Sequence, residues 1–566
     1  MLEELHAASN LLSTALERYM DACSALHHTY QHKYDTNSAP ELLNSVTNEL
    51  KLVEDYKDRL TLAHIWIKRA RNNPANVPIN SLPSEVLTRI FHLVQSQQPC
   101  PLRVTNHWSR DNPVIFPKHP DTLSHVCSRW RQIALASHTL WSHIDIALSC
   151  PLSRGFHERA KIYAARAYEA PLDIHFIDPG LVRQVERFAM GNINARLAIM
   201  HDWSESMHKN NPQDFDFLTS STMPRINSLG LLVHYAYHLI YSRAMEHCFA
   251  NCLPGDLTEL IVHVPDEAHS IPTFFRTSSD SPSSTEFFLS KQQLEIAWRS
   301  VTTLHLKGSY PGWTSTAYHG LTDLRLYGGV RISSSELVNV LKASPGLRVL
   351  CCDFEITDLP SLGALIVPVA LHELEILDLR QMAEASVGRF LRWLNPGSKP
   401  LQLSFRGSPT SALLKDFFTR SNVQELRVKG FTNVDESELP PVMFYLPPQL
   451  RVLVIANWGW DTLYRGMRIG TVPHQCNGTP PHLELDTLYM LSCHCEDLHN
   501  IQEIVKRYSP QRLILWDCQI THPNREFPAP VDLALLRPAI ENDLVGHCPL
   551  VEFLGSEDPH PLQDWN

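Results

Sequence analysis

The sequence predicts a mixed protein of the α+β or α/β class, with N-terminal helices, a three-helix module and a C-terminal solenoid of strand repeats. Three observations predict this organisation. Apolar residues recur at steps of three and four along residues 1–72, the same spacing returns within residues 79–146, and a short apolar motif recurs from residue 226 onward. Steps of three and four are typical of amphipathic helices, whereas apolar residues two apart are typical of strands.

Two apolar seams mark the N-terminal helices. A polar stretch from Asp35 to Ser38 separates them, and residues 73–78 form a linker to the next module. A seam of this period packs against another helix. Residues 1–72 therefore form either a helical hairpin or a coiled coil between two copies of the chain. The seam residues are Leu5, Ala8, Leu12, Ala15, Tyr19, Ala22 and Leu26, then Leu43, Val46, Leu50, Val53, Leu60 and Ile67.

Residues 79–146 form the helical module. Pro83 can open a first helix, because its missing N–H would be unpaired there in any case. Trp130 lies on the apolar face of a second helix, where Arg129 and Arg131 are expected to reach solvent, and Trp141 follows on a short third turn. Three short helices bury little surface, and aromatic residues often anchor protein interfaces. The module is therefore either a partner-binding surface or an ordinary core beneath the next domain.

The order of residues in this module resembles an F-box. Leu82-Pro83-x-Glu85-Val86-Leu87-x-x-Ile90-Phe91 is followed by Val126-Cys127-x-x-Trp130-Arg131-x-Ile133-Ala134 and by Leu140-Trp141, the form common in fungal F-box-like proteins. The resemblance implies docking onto the Skp-type adaptor of an SCF-type cullin–RING ubiquitin ligase. The insertion at 95–121, which a compact F-box lacks, is expected to be a surface loop. The adaptor-binding or module-core residues that the resemblance implies are Leu82, Pro83, Val86, Leu87, Ile90, Phe91, Val126, Trp130, Leu140 and Trp141.

A motif of one apolar residue, two variable residues, a second apolar residue, one variable residue and a third apolar residue recurs along residues 226–566. Val301-x-x-Leu304-x-Leu306 and Leu374-x-x-Leu377-x-Leu379 are two of its copies. The spacing resembles the degenerate leucine-rich repeats found behind fungal F-boxes, in which each strand and its return stack on the next. The resemblance implies a solenoid over 226–566 and an irregular capping region over 147–225. An ordinary α/β domain with parallel strands is the alternative.

The variable positions beside the middle leucine share one face, because strand side chains alternate between faces. That face carries seven positive residues and four negative ones, which are Asp323, Asp353, Asp378 and Glu425. Arginine pairs with carboxylates and phosphates through two hydrogen bonds, so the face suits an acidic or phosphorylated peptide. The alternative is that these charges pair with each other across neighbouring strands. The predicted substrate-binding residues are Lys307, Arg325, Arg380, Arg406, Arg427, Lys429, Arg512 and Trp516.

Composition narrows the setting of the protein. The 566 residues carry a net charge of −11, which argues against nucleic-acid binding, since that requires a basic surface. The start Met1-Leu2-Glu3-Glu4 is acidic where a secretory signal is positively charged, and the apolar stretches are too short to span a bilayer. The 13 scattered cysteines fit reduced thiols. We expect an intracellular protein of the cytoplasm, the nucleus or both.

No catalytic arrangement stands out in the sequence. It holds no Gly-rich phosphate loop, no His-Glu-x-x-His and no Gly-x-Ser-x-Gly. Cys493-His494-Cys495 with His499 lacks the spacing of a structural zinc site, so neither a metal nor a cofactor is expected. The sequence therefore predicts a non-enzymatic substrate-recognition subunit that binds a Skp-type adaptor, through it a cullin, and a target protein. The alternative is a repeat scaffold that binds a partner without directing ubiquitin transfer.

Overall fold

The chain divides into two compact units in the computed structural model. The first consists of Met1–Leu87 and His125–Arg131, and the second of Thr88–Ser124 and Gln132–Asn566. None of the helices within the described residues is long and apolar enough to cross a bilayer. The structure describes residues 2–32, 39–72, 77–97, 120–146, 153–177, 225–232, 238–263, 273–274, 276–277, 286–287, 289–358, 366–407, 411–430, 446–457, 483–495, 498–520, 531–532, 537, 544 and 546–562.

Two long helices, α1 (Leu2–His32) and α2 (Ala39–Arg71), dominate the first unit. They contact each other: Tyr19 of α1 donates a hydrogen bond from its hydroxyl to Glu49 of α2 at 3.4 Å. Residues of both helices line a cleft of about 410 Å³, but most of their apolar side chains stay exposed. Helix α3 (Ser84–Ser96) follows a short 3-10 turn at Pro78–Ser81.

A 14-stranded sheet forms the centre of the second unit. All of its neighbouring strands pair in parallel and follow one another in chain order. The strands are β1 (His143–Ile146), β2 (Leu172–Ile177), β3 (Ile226–Leu232), β4 (Glu259–His263), β5 (Thr303–Lys307), β6 (Asp323–Ile332), β7 (Val349–Ile356), β8 (Ile376–Leu379), β9 (Leu401–Arg406), β10 (Val423–Lys429), β11 (Val452–Ala456), β12 (Thr487–Leu491), β13 (Arg512–Trp516) and β14 (Leu550–Leu554).

Parallel strands need crossovers that return the chain to the same end of the sheet. Several crossovers contain a helix. Helix α9 begins where Ser333 and Glu336 form a capping box, which satisfies backbone N–H groups that the first turn leaves unpaired. The helices after α3 are α4 (Asp121–Ser124), α5 (Ser128–Ala136), α6 (Ser153–Ala167), α7 (His238–Asn251), α8 (Lys291–Trp298), α9 (Ser334–Ala343), α10 (Glu384–Leu391), α11 (Ser411–Thr419) and α12 (Leu498–Tyr508).

The leucines of the recurring motif form the core along one side of the sheet. Leu304, Leu324, Leu350 and Leu377 occupy paired positions on four successive strands, and all four are buried. Burying a leucine side chain stabilises a fold by about 1.5–3 kcal/mol. The motif therefore coincides with these strands, and its apolar positions are the side chains that face the core.

The predicted fold class is wrong. The described residues form an α/β fold, with twelve α-helices and one large parallel sheet, rather than a helical F-box followed by a leucine-rich-repeat solenoid. Strand β1 already belongs to this sheet, as does β2, although the predicted solenoid began only at residue 226. The crossovers also differ from each other: α9 lies between β6 and β7, whereas only a 3-10 turn, Thr316–Tyr318, lies between β5 and β6. The alternative for the C-terminal region, an α/β domain with parallel strands, describes the sheet of the second unit.

Candidate anion-binding site

One face of the sheet collects the charged side chains that alternate with the buried leucines. We call it the polar face. The strand register places the middle residue of each strand opposite the middle residue of the next strand on this face. This middle row on β5–β10 consists of His305, Arg325, Cys351, Asp378, Ser404 and Arg427.

Four cations gather on the polar face at β8–β10, and we call Arg380, Arg406, Arg427 and Lys429 the cationic cluster. Arg380 directly follows β8, and Arg406 is paired with Lys429 at the ends of β9 and β10. The carboxylates of this part of the face are Asp378 and Glu425. Burial raises the pKa of Glu425, against the attraction of Arg451.

One ion pair is built into the cluster. Arg380 donates from Nε to Oδ1 of Asp378 at 2.9 Å and from Nη2 to Oδ2 at 2.5 Å. This two-pronged geometry is the strongest that an arginine makes with a carboxylate. Both carboxylate oxygens of Asp378 are therefore engaged by Arg380, although its charge also attracts Arg427 and Lys429.

Arg427 is different from its neighbour. Its residue is 7% exposed, and within the described residues its buried Nε has no hydrogen-bond partner. Burial and repulsion by Arg380 lower the pKa of Arg427 to about 10, against the attraction of Asp378. Burial and repulsion by Arg380, Arg427 and Arg406 likewise lower the pKa of Lys429. A buried cation without a partner is costly, so this site favours an anion.

The C-terminal segment, residues 555–562, lies against the same face beside the cluster. Trp516 donates from Nε1 to the Asp558 carbonyl at 3.3 Å, and its ring centroid lies 4.7 Å from that of His560. Leu562 is buried with Val454 of β11. Burial, Arg427 and Arg380 all lower the pKa of His560. The segment therefore forms one border of the cationic cluster.

The other predicted substrate-binding residues lie farther along the polar face. Lys307 lies on β5 and Arg325 on β6, where Arg325 donates to Asp323 of its own strand at 3.0 Å. Arg512 of β13 pairs with Glu552 of β14 at 2.8 Å, and Trp516 contacts the C-terminal segment. Arg512 thus pairs across neighbouring strands, as the alternative interpretation expects. Arg325 and Arg380 instead pair with an aspartate two residues earlier in the chain, and Arg427 follows neither pattern.

The residues implied by the F-box resemblance divide by exposure. Leu87, Phe91, Leu140 and Trp141 are buried, and Leu82, Ile90 and Trp130 are partly buried. The exposed ones are Pro83, Val86 and Val126. The insertion at 95–121 falls largely outside the described residues.

Polar contacts fix the indoles and one arginine of this module. Trp130 donates from Nε1 to Oδ1 of Asn80 at 2.9 Å, and Trp141 donates to the Ala134 carbonyl at 2.7 Å. Arg129 does not extend into solvent as expected, since its guanidinium is partly buried and donates to the Leu82 carbonyl at 2.6 Å. The carbonyl of Leu82, just after the 3-10 turn at Pro78–Ser81, thus binds the Arg129 side chain, which the helical pattern had placed at the surface.

Sequence reasoning missed a further polar cluster, formed by His143, Asp145 and His175. Its signal was available: His-x-Asp at 143–145 has the two-residue period of a strand. Among the residues rejected as a zinc site, Cys493 is buried, while the side chains of Cys495 and His499 lie outside the described residues. Neither the protein-family models nor the curated proteins compared with this chain include a match to it.

Proposed function

We propose that this chain is the substrate-recognition subunit of an SCF-type cullin–RING ubiquitin ligase. In this proposal it captures an acidic protein segment at the cationic cluster and binds a Skp-type adaptor through residues 79–146. The observation that carries the substrate half is Arg427, a buried cation that no carboxylate of the described residues pairs with. The chain itself performs no catalysis and works in the cytoplasm, the nucleus or both.

An acidic segment satisfies the cationic cluster for a physical reason. The guanidinium of Arg427 is already desolvated, so an arriving carboxylate or phosphate gains hydrogen bonds without a large new desolvation cost on the protein side. Charge-assisted hydrogen bonds are about twice as strong as neutral ones. Tyr489 and Trp516 on neighbouring strands pack against the cluster that contains Val454 and Leu562. The part of their rings that stays exposed offers aromatic surface to the flanking residues of such a segment.

The adaptor half rests on the F-box resemblance and on exposure. Val86 and Val126 are 43% and 53% exposed and belong to the first unit. Exposed branched apolar side chains at motif positions are available to a partner protein, whereas the buried Leu87 and Trp141 serve the interior. The alternative function, a protein-binding scaffold without ubiquitin transfer, keeps the cationic cluster and lacks the adaptor contact.

The substrate half is tested with defined anions. The full chain is titrated into a fluorescently labelled glutamate-rich peptide, and in a second series into the same peptide carrying phosphoserine. Fluorescence anisotropy of the peptide measures binding. We expect Arg427→Met to weaken binding at least about tenfold, since a lost charge-assisted bond removes about 1.5–3 kcal/mol. The control is Arg331→Met, at an exposed arginine that pairs with Glu355. Equal binding by wild type and Arg427→Met would refute the site.

The adaptor half is tested by calorimetric titration of the purified chain with a purified Skp-type adaptor. We expect heat of binding for the wild type and a loss of at least about tenfold in affinity for Val86→Asp/Val126→Asp, because burying a charge in an apolar interface is costly. Ile162→Asp is the control, since Ile162 is an apolar helix residue of similar exposure. If the wild type gives no heat with the adaptor but still binds the peptide, the ligase function is refuted and the scaffold function is supported.

A further inference from the structure

The first two strands of the sheet bring two histidines and an aspartate together. Strands β1 and β2 pair in parallel with Asp145 opposite His175. His143 lies two residues before Asp145, so all three side chains share one face of the strand pair. One possible ligand atom from each residue lies within 4.8 Å of the other two.

The distances within this cluster suit a small metal ion. Nε2 of His143 lies 3.2 Å from Oδ1 of Asp145, and Nδ1 of His175 lies 3.8 Å from the same oxygen. The two imidazole rings stand nearly perpendicular, with centroids 4.6 Å apart. In a tetrahedral zinc site, bonds of about 2.0–2.1 Å put the donor atoms about 3.3 Å apart. Small side-chain shifts would therefore bring the three donors onto one ion.

The donor chemistry of the cluster also suits a cation. Asp145 and His175 are buried. Oδ1 of Asp145 faces a ring nitrogen of each histidine. A deprotonated carboxylate with neutral imidazoles is the ligand form that divalent metals bind.

We propose that His143, Asp145 and His175 form a Zn²⁺ site that joins β1 to β2. Two imidazoles and one carboxylate favour Zn²⁺ or a neighbouring transition metal over Mg²⁺ or Ca²⁺, which prefer all-oxygen sites. Three protein ligands leave the fourth tetrahedral position to water. The His143 side chain is partly exposed, which gives the ion a route from solvent. This proposal does not rest on the cationic cluster or on adaptor binding.

The test uses the full chain, stripped with a chelator and dialysed. Zn²⁺ is added in a calorimetric titration, and bound metal is counted by mass spectrometry. Co²⁺ then replaces Zn²⁺, because its visible absorption reports tetrahedral ligation. We expect one equivalent bound through this cluster, and a fall in affinity of at least about tenfold for Asp145→Asn and for His143→Gln, since even outer ligand contacts contribute 10–100-fold.

The variants separate a metal site from a hydrogen-bonded cluster. Asp145→Asn keeps the shape of the side chain, and His143→Gln changes a partly exposed residue, so the second decides the question if the first fails to fold by circular dichroism. His319→Gln, at an exposed histidine, is the control and should bind as wild type does. Absence of stoichiometric Zn²⁺, or wild-type affinity and cobalt absorption in folded His143→Gln, would overturn the proposal.

Discussion

Arg427 and Arg380 belong to the same polar face, yet their surroundings give them opposite roles. Arg380 is a buried cation whose carboxylate partner, Asp378, lies two residues earlier on β8. Arg427 is equally buried and lacks such a partner among the described residues. A paired buried charge contributes to stability only as a pair, whereas an unpaired one lowers stability and is available to a ligand.

This contrast predicts opposite effects on folding. Arg427→Met keeps the aliphatic stem and removes the uncompensated charge, so its free energy of unfolding should equal or exceed that of wild type. Arg380→Met leaves Asp378 buried without its partner and should lower the free energy of unfolding by about 3 kcal/mol or more. Urea denaturation of both variants measures this. A larger loss for Arg427→Met than for Arg380→Met would contradict the assignment of Arg427 as a ligand-binding group.

His263 predicts how stability depends on pH. Burial, and after it the electrostatic influence of His305, Lys307 and Arg325, lower the pKa of His263 from 6.5 to about 3. The unfolded chain therefore binds a proton that the folded chain excludes. Stability from this group is complete above pH 6.5 and is lost as the pH falls toward 3, at about 1.4 kcal/mol per pH unit.

Urea midpoints at pH 7 and pH 4.5 measure that loss. We expect His263→Gln to lose less stability between the two values than wild type does, because it has no imidazole to protonate. His319→Gln, which changes an exposed histidine, should show the wild-type loss. Equal losses in wild type and His263→Gln would show that other groups carry the acid sensitivity.

At the scale of elements, packing divides the chain sharply. Strands β5–β10 bury a continuous set of leucines, whereas α1 and α2 leave Leu12, Leu50 and Trp66 largely exposed. Long helices gain most of their stability from packing of an apolar face. The two N-terminal helices are therefore the least stabilised elements of the described chain.

Hydrogen exchange followed by mass spectrometry tests this difference. Backbone amides of α1 and α2 should exchange at least about a hundredfold faster than those of β7 and β8, because local opening of poorly packed elements costs less free energy. Protection of α1 and α2 equal to that of the sheet would contradict this account. It would show that another chain or segment covers their apolar side chains.

Elements with a strong apolar period could be predicted from the sequence. The prediction failed for features that depend on which strands pair with each other. The strands of Leu304 and Leu324 were recognisable because buried apolar residues recur at every second position along them. Strand β1 was assigned to the helical module, although Ile144 and Ile146 alternate with polar residues as the leucines do in later strands. The position of Arg427 on the polar face was predictable by alternation. Its lack of a carboxylate was not, because that depends on which side chains the register brings near it.

At the scale of the molecule, the proposed function needs two separate surfaces. The exposed residues Val86 and Val126 belong to the first unit, and Arg427 belongs to the sheet of the second. A receptor subunit uses one surface to join the ligase and the other to hold its target. If the two surfaces act separately, a variant that disables one should leave the other intact.

Quantitative mass spectrometry of complexes captured from cells on the full chain tests this claim most directly. Wild type should recover a Skp-type adaptor, a cullin and a set of acidic partners. Val86→Asp/Val126→Asp should lose the adaptor and cullin while keeping the partners, and Arg427→Met should lose the partners while keeping the adaptor. Absence of adaptor and cullin from the wild type, or partner sets unchanged by Arg427→Met, would contradict the account.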